Sequence, residues 1–144
     1  MAKKLKVGRN FIPCAVSDND ELYPNGIFVF NITRMIEYIH EHPLEIAPEE
    51  AAVSDFPRYS PIDDSQLESV KIGQPVILVE ISPGKYNLID GNHRMVKARK
   101  MGIQSISAYR LRADQHMKFM TERKAYEDYV EYWNSKLRED FSQA

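Results

Sequence analysis

Apolar residues recur along the chain at two different spacings, and the changes of spacing outline the elements. Gly26-Ile27-Phe28-Val29-Phe30 follows the turn-prone Tyr23-Pro24-Asn25-Gly26 and predicts a short strand. Asn31 then stands at an N-cap position, and Ile32, Met35, Ile36 and Ile39 repeat at i, i+3, i+4 and i+7. That spacing predicts an amphipathic helix ending at His42, because Pro43 cannot continue it. Between Pro43 and Pro61, four prolines and four acids break every long period, so the segment reads as a surface loop with one helical turn over Pro48-Glu49-Glu50-Ala51-Ala52. Loops of such length inside a small domain are commonly functional or lid-like. Asp64 to Val70 predicts a short helix or turn.

From Val76 to Ile81 the chain is β-rich and apolar on both faces, the pattern of a buried strand. Ser82-Pro83-Gly84-Lys85 carries Pro and Gly at the centre of a type II turn, so Tyr86-Asn87-Leu88-Ile89 is expected to return as the second strand of a hairpin. Asp90-Gly91-Asn92-His93-Arg94 follows, then a helix through Met101 stopped by Gly102, then an alternating strand over Ile103 to Leu111. The tail from Ala113 reads as helical. Its stripe of Tyr126, Tyr129, Val130, Trp133 and Leu137 at helical spacing is expected to dock on the core, with a dimer contact as the other reading. The whole is an α+β chain: a small mixed sheet with packed helices, a single domain over 1–144. Its core covers about 62–111, with an N-terminal extension and C-terminal helices over about 113–140.

Composition narrows the function classes. With 144 residues, 43% hydrophobic and 28% charged, the chain can bury a core without disulfide or metal staples. Nineteen Lys+Arg against 21 Asp+Glu leave a formal charge of -2, so the overall basic field of a dedicated nucleic-acid binder is missing. The single cysteine, Cys14, can form no internal disulfide and fits a reducing compartment. No apolar run approaches the roughly 20 residues of a membrane helix, and the basic start is followed by no apolar signal core. These features lead us to expect a soluble, cytoplasmic protein without a membrane partner.

The chemistry concentrates at Asp90-Gly91-Asn92-His93-Arg94. A helix start exposes unpaired N–H groups and the positive end of the helix dipole. Gly91 removes the Cβ that would keep a ligand off the backbone. His93 and Arg94 add an imidazole and a forked guanidinium suited to phosphate oxygens. Asp90 can cap the turn, hold a neighbouring side chain or meet a metal-bound water. Asp-Gly is also a common turn former and His-Arg a common solvated helix start. The context sets this stretch apart, with an apolar strand pair before it, a stopped helix after it and a strand to follow.

Gly73-Gln74-Pro75-Val76-Ile77-Leu78-Val79, then Tyr86-Asn87-Leu88-Ile89-Asp90-Gly91-Asn92-His93-Arg94, then Ala98 and Gly102, resemble the ParB/sulfiredoxin superfamily. The resemblance covers about 50 residues, from Ile62 to Leu111. It implies a small α/β fold whose loop after the strand contacts nucleotide phosphates: ATP in sulfiredoxins, ATP or ADP in free-serine kinases, CTP in chromosome-partition proteins. Sulfiredoxins carry a cysteine where this chain has Asn92, and Cys14 is remote in sequence, which argues against sulfinyl chemistry. Partition proteins continue into a helix-turn-helix, whereas the stretch from Ala113 onward holds five Lys/Arg and seven Asp/Glu, a poor match to a polyanion. The Asp-Gly-x-His-Arg form is nearer to the free-serine kinases, which are larger and keep their catalytic carboxylate outside the motif.

These readings make Gly91, Asn92, His93 and Arg94 the expected phosphate contacts, with Arg94 an exposed ligand group. His93 and Asp90 are the expected catalytic pair, and magnesium would accompany the nucleotide (ATP, ADP or CTP). Two function classes follow. One is an enzyme that hydrolyses a nucleotide or transfers its phosphoryl group. The other is a non-catalytic module that binds nucleotide or DNA, as in the so-called ParB-like nuclease domains, with DNA disfavoured by the charge balance. Asp63 and Asp64 are candidates for the metal, though a helix cap is the commoner role of such a pair. Glu49 and Glu50 are weaker candidates for a general base on the loop. Lys97, Arg99 and Lys100 can extend the phosphate site or simply form a solvated helix face. His40 and His42 lack ligand spacing and read as surface residues, and His116 as a packing residue.

Overall fold

Val76–Ser82 forms β4 and Lys85–Asp90 forms β5, joined by the two-residue Pro83-Gly84 turn in which Gly84 takes φ 75°. The computed structural model describes residues 3–26, 28–56 and 64–143. After β5 the chain enters α3 (Asn92–Lys100), turns at Gly102 and runs out along β6 (Ser105–Leu111). β6 lies parallel to β4, with Ile77 beside Tyr109 and Val79 beside Leu111. The fourth strand, β3 (Glu49–Ala52), pairs antiparallel with β6, so the mixed sheet runs β3-β6-β4-β5. A separate two-stranded ribbon, β1 (Leu22–Asn25) with β2 (Phe28–Asn31), precedes α1 (Ile32–Glu41). This is a mixed α+β fold with a small sheet, as the sequence pattern predicts.

β4 is buried on both faces because both faces of the sheet are covered. Val76 and Leu78 pack with Met95 and Ala98 of α3, Leu88 of β5 and Ile106 and Ala108 of β6. Ile77, Val79 and Ile81 point the other way, into a larger core with Met35 and Ile39 of α1 and Tyr129 and Trp133 of α5 (Arg123–Gln143). The alternation along one strand therefore assigns two cores.

The aromatic stripe of α5 is buried within its own chain: Tyr129 is 0% and Trp133 4% exposed. Part of its cover is the N-terminal segment, an extended strap laid along α5. The Trp133 Nε1–H donates to the Lys3 carbonyl, Asn134 exchanges two hydrogen bonds with the Leu5 backbone, and Phe11 stacks on Tyr126 at 3.9 Å.

Three expectations change. Pro48 to Ala52 supplies a strand, not a helical turn; its backbone completes the β6 edge, so the sheet reaches beyond 62–111. Tyr23 and Pro24 lie within β1, paired with Phe30 and Val29, because an edge strand can leave a proline without a ladder donor. The segment after Ala113 is not one run of helix. A short α4 (Ala113–His116) and a 3-10 turn lead to Met120, which bridges to Phe30 before α5 begins. The short helix or turn expected over Asp64 to Val70 is α2 (Asp64–Leu67) followed by a turn. Asp63, proposed for the metal, and Pro57 to Pro61 of the loop lie outside the described residues. Among the described residues, no helix is long and apolar enough to cross a membrane.

Candidate functional site

The site begins with an irregularity in the hairpin. Ile77 of β4 faces Asp90, yet Leu78 faces Leu88, so Ile89 is an extra residue on β5. Such a bulge re-aims the side chains beside it and ends the pairing. One residue on, Gly91 takes φ 97° as the N-cap of α3. A Cβ there would stand 2.5 Å from Val76 Cγ1 and 3.0 Å from both Nε and Nη2 of Arg94. Glycine is required at this position both by the backbone angle and by the close approach of two side chains.

Arg94 lies flat against that glycine. Its Nη2 donates to Asp90 Oδ2 at 3.1 Å and its Nη1 to the Pro75 carbonyl at 3.0 Å. The guanidinium thus ties the end of β5 to the entry of β4, with its side chain 15% exposed and that of Asp90 22%. The expectation of an exposed arginine is corrected: the Asp90 carboxylate four residues earlier draws it down, and it lines the cleft only partly exposed. Asp90 is correspondingly held as the partner of Arg94, one of the roles its position offers.

The Met95 N–H bonds back to Gly91 O at 3.0 Å, which starts the helix. The N–H groups of Asn92, His93 and Arg94 precede that bond and have no acceptor within the helix. The three residues line a cleft of about 620 Å³. Residues 89–94 form its floor, Glu21 and Tyr23 come from the start of the β1–β2 ribbon, and Ser69, Lys71 and Gln74 come from the loop between α2 and β4. His93 is exposed there and takes no hydrogen-bond or ion-pair partner among the described residues. All five motif residues therefore share one cleft, with the positive helix end, Lys71 and Arg94 set against Glu21 and Asp90.

The other candidates go elsewhere. Lys97 Nζ donates to the carbonyls of Val70 (2.9 Å) and Glu68 (3.4 Å), fixing the loop that carries Lys71. Arg99 donates to the Phe56 carbonyl, and Lys100 is exposed outside the cleft. Glu49 pairs with Arg110 at 3.2 Å, and both Glu49 and Glu50 sit on β3, the sheet edge opposite β5, too far across the fold to serve as a base. His42 caps α1 and stacks on Tyr38, while His40 is exposed. Asp64 opens α2.

His116 is fully buried: its Nε2–H donates to the Glu80 carbonyl at 2.6 Å and its Nδ1 has no partner among the described residues. Burial lowers its pKa to about 4. Cys14 sits on the strap, its N–H bonded to Met120 O, and burial raises its thiol pKa. Neither lines the cleft.

Sequence reasoning assigned no role to Lys71, Ser69, Tyr23 or Glu21. Gln74 and Pro75 carried a signal, since they belong to the stretch with the family resemblance. Among the described residues, no group of three or more His, Cys, Asp and Glu is placed to hold a metal ion. Compared with known proteins, the chain matches no family model, no curated protein and no solved structure.

Proposed function

We propose that the chain binds a nucleotide, with the phosphates seated at the N-terminus of α3. The observation that carries this reading is the start of α3 at the left-handed Gly91, where Gly91, Asn92, His93 and Arg94 all line the 620 Å³ cleft. That volume lies in the usual range for small-molecule sites. Lys71, the partly exposed Arg94 and the helix dipole supply positive charge, and Asn92 and His93 supply side-chain contacts. The resemblance to the ParB/sulfiredoxin superfamily supports the same ligand class and the same loop.

Magnesium would arrive on the phosphates, since the described carboxylates form no cage and Asp90 is already paired. Charge neutralisation then rests on the chain's own groups. For phosphoryl transfer or hydrolysis, His93, exposed in the cleft, would give or take a proton at a bound phosphate. The Asp90–Arg94 ion pair favours the second reading, a binding module without turnover, because it occupies the carboxylate that catalysis would use.

Calorimetric titration with ATP, ADP and CTP, with and without magnesium, tests the ligand, and a product assay on each hit tests turnover. His93→Ala and Lys71→Ala change exposed residues and leave the fold in place. Each should weaken nucleotide binding by about tenfold, the size of one charge-assisted contact. Wild-type affinity in both variants would refute the site.

A further inference from the structure

A second cavity of about 230 Å³ adjoins the cleft and shares Gln74, Asp90 and Arg94 with it. Its floor is one row across the sheet, Tyr109–Ile77–Asp90, neighbours in the registers of β6, β4 and β5. Its roof is one face of α1: Ile36, Ile39 and His40, at i, i+3 and i+4. The two chambers differ in chemistry. The cleft is lined mostly by polar and charged residues, whereas this cavity is lined by three isoleucines, Pro75 and Tyr109, with Gln74, Asp90, Arg94 and His40 as its polar members. It is too small for a whole nucleotide and large enough for one planar ring system.

We propose that this cavity takes the nucleobase of the nucleotide whose phosphates occupy the cleft. The assignment rests on the nucleotide reading above and adds the ligand's orientation. The Asp90–Arg94 pair belongs to both chambers, so a ribose crossing it would bring phosphate and base to opposite sides of one planar, hydrogen-bonded unit. Apolar walls suit the ring faces. An amide, an imidazole and a carboxylate among its lining suit ring nitrogens and exocyclic groups. The base would then contact α1, an element that the phosphate motif does not touch.

The test compares the four ribonucleoside triphosphates with inorganic tripolyphosphate by calorimetric titration, on wild type and His40→Trp. His40 is exposed, so the indole can fill the cavity mouth without burdening the core. Wild type should prefer at least one nucleoside triphosphate over tripolyphosphate by about tenfold or more, the return for burying one ring system. His40→Trp should lose that preference and keep its tripolyphosphate affinity. On wild type, the methyl resonances of Ile36 and Ile77 should take ring-current shifts from the nucleotide and none from tripolyphosphate, which decides the matter even if the variant folds poorly. Unshifted methyls, or a variant that keeps the preference, would overturn the base assignment while leaving the phosphate site standing. Equal affinity of wild type for tripolyphosphate and nucleotides would overturn it too. Binding of neither probe would overturn both readings together.

Discussion

Replacing Gly91 by alanine puts a methyl group where the fold has no room for one. The backbone angle of 97° costs an L-residue about 1–2 kcal/mol. The new Cβ would also stand 2.5 Å from Val76 Cγ1, a fully buried methyl, and 3.0 Å from the Arg94 guanidinium. Overpacking of that kind costs about 1–3 kcal/mol. The sum, about 2–5 kcal/mol, is a large share of an ordinary domain's stability and should lower the urea midpoint by about 1–2 M. Gly84→Ala is the matched control. Its φ is also positive, at 75°, but a Cβ there meets nothing within 4 Å, so it should cost only about 1–2 kcal/mol for the backbone. The difference between the two variants isolates the contact with Val76 and Arg94. Val76→Ala in the Gly91→Ala background should relieve part of it, so the double variant should cost less than the two single changes added, by about 0.5–3 kcal/mol. Equal urea midpoints for Gly91→Ala and Gly84→Ala would refute the close packing on which the Arg94 geometry depends.

Three further expectations can be checked. The buried His116 titrates near 4 in the fold against 6.5 in the open chain, so the unfolded state binds the extra proton as pH falls between them. Stability should therefore drop from pH 6.5 towards 4, by up to about 3 kcal/mol. His116→Gln, which keeps a donor for the Glu80 carbonyl, should flatten that slope in urea titrations, and an unchanged slope would refute the assignment. Trp133→Ala should destabilise the chain by about 3–5 kcal/mol in denaturant titrations, because it empties a buried site and frees the Lys3 carbonyl. A folded variant that dissociates from dimer to monomer in sedimentation would instead make the stripe an interface. Cys14→Ser should leave nucleotide affinity unchanged, and the wild-type thiol should alkylate slowly at neutral pH because burial raises its pKa. Rapid labelling would reopen a redox role.

The elements that local signals specify are those the sequence shows. Asn31 accepts from the Arg34 N–H as an N-cap, α1 stops before Pro43, and Pro83-Gly84 folds the β4–β5 hairpin. In each case the decisive chemistry lies within a few residues. β3 was not legible, because Glu49-Glu50-Ala51-Ala52 has little strand preference and becomes a strand only by pairing with β6, more than 50 residues later. The motif at 90–94 was legible as a strand-to-helix turn, but the resting place of Arg94 was not. It depends on the Pro75 carbonyl and on the space left by Gly91, neither of which a linear spacing reveals. Lys71 reaches the cleft on the connection between α2 and β4, which carries no periodicity, and Tyr23 reaches it on β1, paired with β2.

The strap along α5 sets an order of events during synthesis. Lys3, Leu5 and Gly8 leave the ribosome well ahead of their partners Trp133, Asn134 and Tyr126, which follow 118 to 130 residues later. Until those arrive, the basic leading segment has nothing to lie on, and the core face shared by Phe28, Phe30 and Ile77 lacks the aromatic side chains that close it. Such long closures slow folding and leave apolar surface open while they wait. At ordinary elongation rates of about 5–20 residues per second, that interval lasts several seconds, time in which a chaperone or a neighbouring nascent chain can reach the uncovered core.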